Sequence, residues 1–169
     1  MIGVLARATV YATVFVGFVL VYLPARALSW AGVAGPDRIG AAQAAGLAIA
    51  SAGAALAVWC VLTFAIAGRG TPAPFDPPRR LVVRGPYRYV RNPIYLGAAI
   101  AVGGAAVYYQ APLLLAYVVA FLLVMHLFVV LYEEPTLRRS FGPAYDAYCR
   151  DVRRWRPSGL SGAPASNGY

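Results

Sequence analysis

Apolar residues in this chain come in long runs rather than in alternation, and four runs stand out, at residues 4–23, 39–67, 93–109 and 113–132. A helix crosses the hydrocarbon of a bilayer with about 20 apolar residues, with a range of about 17–25. The pattern therefore predicts an all-α fold: a polytopic membrane bundle of four transmembrane helices. The second run is long enough to cross with tilt or to project beyond the bilayer. The third is short, and is expected to insert as a hairpin with the fourth through the turn "YYQAP". The first run has a rival reading as a signal peptide, since "PARAL" offers a cleavage site. Only Arg7 precedes it, however, and the apolar stretch is long for a signal, so a retained first helix is expected.

After Tyr132 the pattern changes to "EEPTLRRSFGPAYDAYCRDVRRWRP", with Leu137, Phe141, Tyr145, Tyr148 and Val152 three or four residues apart. This spacing predicts an amphipathic helical segment over 133–157, broken near Gly142-Pro143, lying on the interface or folding over the bundle. The closing stretch 158–169 has no apolar period and is expected to be disordered. Residues 1–157 thus read as one domain.

Composition agrees with the membrane class. Of 169 residues 60% are hydrophobic and 12% charged, and mean hydropathy is +0.62, whereas a soluble domain carries about 25% charged residues. The net charge is +9, and every basic residue is an arginine. Six arginines fall between Arg69 and Arg91 and six between Arg138 and Arg156, which places both regions on the cytoplasmic side. With four spans the N-terminus is then cytoplasmic too, while the 24–38 loop and the 108–112 turn face outward. This describes a multi-pass protein of a bacterial-type inner membrane. No amphipathic basic domain accompanies the charge, so no nucleic acid is expected as a partner. Cys60 and Cys149 lack metal-ligand spacing, and with a single histidine no histidine metal site is expected. Ala42, Gly46, Ala50 and Ala54, and Gly97, Ala101 and Ala105, recur at four-residue spacing, which lets helices approach closely in lipid and permits a homodimer.

The stretch "RGPYRYVRNPIYLG" carries the candidate chemistry. Pro93 suits a first helical turn and Asn92 an N-cap, so "RNP" marks the mouth of the third span. Free N–H groups and the positive dipole end gather there, and with Arg91 they suit a carboxylate or phosphate. Tyr87, Tyr89 and Tyr95 offer flat surfaces for a heteroaromatic ring, or alternatively an aromatic belt. Glu133 and Glu134 sit at the end of the fourth span, where negative charge opposes the dipole. They either pair with arginines or accept hydrogen bonds from a ligand. His126, seven residues before Glu133, is an ionisable residue inside a span.

"GPYRYVRNPIYLG", followed by "LYEEPTLRRSFGPAYDAYCRDV", resembles the isoprenylcysteine carboxyl methyltransferase and phosphatidylethanolamine N-methyltransferase group of integral-membrane enzymes, over about residues 78–157. The resemblance implies S-adenosyl-L-methionine as cofactor and methyl transfer to a lipophilic or membrane-embedded acceptor at the cytoplasmic face. It implies cofactor contacts at Arg79, Arg80, Leu81, Val82, Tyr87, Asn92, Pro93, Ile94, Tyr95, Gly97, Glu133 and Glu134. Glu133, Glu134 and Arg91 are the candidate catalytic residues, and Glu133, Glu134 or His126 could take a proton from an amine. Two departures mark this chain within the group. Asn92 stands where the carboxyl-methylating branch has histidine, and Val129 and Val130 where that branch places an arginine, so prenylcysteine is disfavoured as acceptor. The alternatives are an NADPH-dependent membrane reductase of the sterol reductase type and a small non-enzymatic membrane subunit.

Overall fold

The computed structural model describes residues 16–68 and 80–158, and among these there are helices and no strands. A π-helical stretch, Val16–Tyr22, runs straight into α1 (Leu23–Trp30). The expected 24–38 loop therefore begins later, at Gly32, whose φ is +66°. Pro24 does not end the helix. With five-residue hydrogen-bond spacing its missing N–H would have served the Val19 carbonyl. The hydroxyl of Tyr117 donates to that carbonyl instead, at 2.5 Å. Most of the predicted first span, and the 159–169 part of the tail, lie outside the described residues.

α2 (Ala41–Gly68) and α3 (Pro93–Tyr109) form the most extensive helix pair and run antiparallel. Their contact is backbone against backbone. A methyl group on Gly53 would lie 2.7 Å from the Gly97 carbonyl oxygen, and one on Gly104 2.7 Å from that of Gly46. The contact stripe on α2 is Gly46, Ala50, Gly53 and Ala57, not the evenly spaced Ala42, Gly46, Ala50 and Ala54. An α-helix turns once per 3.6 residues, so strict four-residue spacing drifts off the face, while alternating steps of four and three stay on it. Ala42 and Ala54 are accordingly exposed.

α3 has the limits read from the pattern, and Gln110, at φ 51°, turns the chain into α4 (Pro112–Phe128). The Ala111 N–H donates back to the Ala106 carbonyl at 2.9 Å, closing a left-handed helix end. Beyond α4 the structure departs from expectation. The helix does not stop at Tyr132 but passes through a π-helical turn, Val129–Glu133, into α5 (Glu134–Phe141). Gly142, at φ 51°, then breaks it before α6 (Pro143–Asp151). Tyr145, Tyr148 and Val152 are buried with Leu81, Val83, Leu137 and Phe141 packed on them, so the predicted amphipathic face is real and closes over the end of the bundle.

Among the described residues two helices are long and apolar enough to cross a membrane: Ala41–Phe64, with mean hydropathy 2.1, and Pro112–Phe141, with 2.8. Only 11% and 17% of these stretches is buried inside the protein. Leu47, Val58 and Leu62 on one, and Val119, Leu123 and Leu131 on the other, face outward. The core helix of a soluble protein would bury such side chains, so these faces are solvated by lipid.

Candidate functional site

Four pieces of chain converge at one end of the bundle: the end of α2, the segment before α3, the π-helical junction after α4, and α5–α6 together with residues 152–158. Gly85 starts the second piece. Its φ of +55° suits glycine, and a side chain there would press within 2.9 Å of the Thr63 hydroxyl. With Pro86 it begins a single 3₁₀ turn, Gly85–Arg88. That turn lowers Tyr87 onto Cys60 and Val82, its ring 6.0 Å from that of Phe64. The Tyr148 hydroxyl donates to the Tyr87 carbonyl at 2.7 Å, tying α6 to this turn. Burial holds the phenols of Tyr87, Tyr145 and Tyr148 above the usual tyrosine range, so all three are neutral hydrogen-bond donors at neutral pH.

These elements enclose an open cleft of about 430 Å³, lined by Phe64, Leu81, Val82, Tyr87, Arg91, Asn92, Val129, Glu133, Glu134, Leu137, Tyr145 and Tyr148. The two acids differ sharply. Glu134 is buried, and accepts from Arg154 Nε at 2.6 Å, Arg154 Nη2 at 2.9 Å and Arg91 Nη1 at 3.1 Å. The bond to Glu134 raises the pKa of Arg154 further. Glu133 has a partner of a different kind: the neutral hydroxyl of Tyr95 donates to it at 3.2 Å. Arg91 also reaches Cys149 Sγ at 2.7 Å, while its Nε, buried, has no partner among the described residues.

Two expectations about this region are corrected. Asn92 holds the N-cap position of α3 but makes no capping bond, since at φ −122° and ψ 56° its side chain turns away and donates to the Arg154 carbonyl at 3.3 Å. Glu133 and Glu134 are not at a helix C-terminus: the helix continues through them from the π-helical turn into α5.

The remaining predicted positions divide. Leu81, Val82, Tyr87, Arg91, Asn92, Glu133 and Glu134 come together on the cleft wall. Pro93 is fully buried, Ile94 packs behind the wall on Cys60, Val82 and Tyr87, and Tyr95 touches the site only through Glu133. Gly97 lies in the α2 contact, 2.9 Å from the Ala57 nitrogen once a methyl is added. Arg80 and Tyr89 are exposed, and Arg79 lies outside the described residues. Sequence reading did not single out Phe64, Arg154 or Trp155 for this site. Arg154 and Trp155 belong to a strap, residues 152–158, laid across the cleft edge. The Arg91 N–H donates to the Arg153 carbonyl at 3.0 Å, the Ser158 N–H to the Tyr89 carbonyl at 2.7 Å, and the Trp155 indole to His126 Nδ1 at 3.0 Å.

A family model described as phospholipid methyltransferase matches residues 41–144, from the first turn of α2 into α6. The chain belongs to the phospholipid methyltransferase family. Neither the comparison with curated proteins nor that with solved structures gave a match. As a member of the phospholipid methyltransferase family the protein is a methyltransferase associated with membrane lipid, and the reductase and the non-enzymatic subunit gain no support. The matched segment contains every described cleft residue except Tyr145 and Tyr148, and the strap lies beyond it.

Phospholipid methyltransferases generally use S-adenosylmethionine, and the chemistry of the donor groups on the cleft wall is compatible with it. Its walls offer a partnerless buried guanidinium N–H for a carboxylate, a carboxylate not held by arginine for hydroxyls or an ammonium, and aromatic and branched side chains for a purine.

Proposed function

We propose that the protein transfers a methyl group from S-adenosylmethionine to a lipophilic, membrane-embedded acceptor, at the cytoplasmic end of a four-span bundle. The observation that carries this reading is the difference between Glu133 and Glu134 on one cleft wall, beside the unsatisfied Arg91 Nε–H. Arg91 would hold the methionine carboxylate and Glu133 the ammonium or the ribose hydroxyls. Phe64, Tyr87 and Leu81 would flank the adenine. When bound, the cofactor supplies a methyl group on a sulfonium, ready for in-line displacement.

The chain's own residues then have two tasks. The cleft and strap hold the reactants in register, which is where most of the acceleration of such a transfer arises. Tyr145, Tyr148, Val129 and Leu137 exclude water from the reacting end. An amine acceptor must also lose a proton. Glu134 is engaged by two arginines, His126 Nδ1 by Trp155 and Glu133 by the cofactor, so an acceptor that arrives as the free amine is expected. Arginine clustering supports the cytoplasmic placement.

The test is calorimetric titration of S-adenosylhomocysteine into the detergent-purified protein, with NADPH as control. Micromolar binding of S-adenosylhomocysteine, and none of NADPH, is expected. Binding of NADPH alone would replace this reading with the reductase, and binding of neither by folded protein would refute it.

A further inference from the structure

Once the cleft is accounted for, the Trp155–His126 pair on its membrane side remains unused. The indole N–H of tryptophan can only donate, so His126 Nδ1 at 3.0 Å must present its lone pair. The proton of the neutral imidazole is then on Nε2. Among the described residues that second N–H has no acceptor, and its helix neighbours Leu123, Val124 and Leu127 face outward. An N–H left unpaired in hydrocarbon is costly, and an oxygen from outside the protein would satisfy it.

The pair also adjoins Glu133, the acid assigned to the cofactor. The Trp155 ring lies 6.5 Å from that of Tyr95, and the Tyr95 hydroxyl donates to Glu133 at 3.2 Å. His126 precedes Glu133 by seven residues, about 10 Å along a helix. That exceeds the headgroup layer, which occupies about 5–8 Å on each side of the hydrocarbon, so a lipid oxygen at His126 lies deeper than the headgroup's outer end.

We propose that Trp155 is a positioning residue that fixes His126 as a hydrogen-bond donor to an oxygen of the lipid acceptor, holding the acceptor's reactive end at Glu133. The assignment rests on the methyl-transfer reading above. Trp155 lies outside the family-matched segment, so this contact belongs to the chain's own strap.

His126 is the chain's one histidine, so imidazole ¹⁵N NMR reports it directly. In detergent-solubilised wild type, one protonated nitrogen and one hydrogen-bonded, unprotonated nitrogen are expected. Trp155→Phe keeps the ring, removes the N–H and should give a tautomer mixture. Adding nanodiscs of dioleoyl phosphatidylethanolamine should shift the wild-type Nε2 signal.

In turnover assays with the same lipid, Trp155→Phe and His126→Leu should each raise the lipid KM about five- to tenfold, the worth of one hydrogen bond. The affinity for S-adenosylhomocysteine should stay within about twofold in His126→Leu. His126→Gln, which keeps a donor, should recover part of the loss. A His126 effect seen with the diacyl lipid but not its dialkyl ether analogue assigns the contact to an ester carbonyl, and an equal effect assigns it to phosphate. Either supports the contact. Unchanged KM in both variants, or an Nε2 signal indifferent to lipid, would overturn it. Wild type that fails to bind S-adenosylhomocysteine would sink the methyl-transfer reading instead, and the NMR titration would still decide the lipid contact.

Discussion

Neutralising the two adjacent acids one at a time separates their roles. Glu134→Gln leaves Arg91 and Arg154 facing a neutral amide: the ion pairing is lost, and the Oε2 acceptor of Arg154 Nη2 becomes a donor, in a side chain only 8% exposed. Stranding a partner of a buried ion pair costs about 3–5 kcal/mol. The Arg154 side chain is 31% exposed, and water recovers part of that loss, so about 2–3 kcal/mol is expected. For a domain of this size that corresponds to a fall of about 5–10 °C in Tm. Glu133→Gln removes one acceptor for a neutral hydroxyl and should cost less than about 1 kcal/mol of stability. Its effect should appear in binding. Losing a hydrogen bond to a charged group costs about 1.5–3 kcal/mol, or about 10- to 100-fold in the Kd for S-adenosylhomocysteine. Thermal unfolding in detergent, followed by near-UV circular dichroism, and titration calorimetry on the same preparations measure both. Equal losses of Tm, or unchanged affinity in Glu133→Gln, would refute the division of labour.

Neighbouring glycines of α3 should respond with opposite sign. Gly104→Val drives a side chain into the α2 backbone and should cost more than about 2 kcal/mol, whereas Gly103→Ala meets nothing within 4 Å and should gain up to about 1 kcal/mol, both read by thermal unfolding. Asn92→Ala should cost about 1 kcal/mol through the lost bond to the Arg154 carbonyl, and Asn92→Asp, a better cap that cannot donate to that carbonyl, should not restore it. Tyr148 is held above its ordinary pKa of about 10, chiefly by burial, so its contribution is complete below pH about 10 and is lost as pH rises toward the folded value. Stability measured from pH 8 to 12 should therefore fall above about pH 10, and less steeply in Tyr148→Phe.

How far the sequence could be read depended on whether a feature is local. The limits of α3 were legible because a proline, a turn and an apolar run mark them within one stretch of chain. The amphipathic face of α5–α6 was legible for the same reason. The end of α4 was not, because two acids look like a helix end until Arg91 and Arg154 arrive from elsewhere to neutralise one of them. Asn92 matched the preference for an N-cap, yet tertiary structure claimed its side chain for a carbonyl 62 residues away. The bond between Trp155 and His126 leaves no local trace at all. Cleft residues contributed by the segment before α3 and by the π-helical junction carried a signal. Phe64 looked like one more apolar span residue.

The strap also orders events during synthesis. All the lipid-facing helices precede residue 152, so the ribosome has delivered every described span before the strap residues leave the exit tunnel. Membrane insertion and completion of the cleft are then separate steps, and the bundle is embedded before Arg154 can reach Glu134. A nascent chain stalled at the end of α6 would be a resident of the bilayer without a finished site.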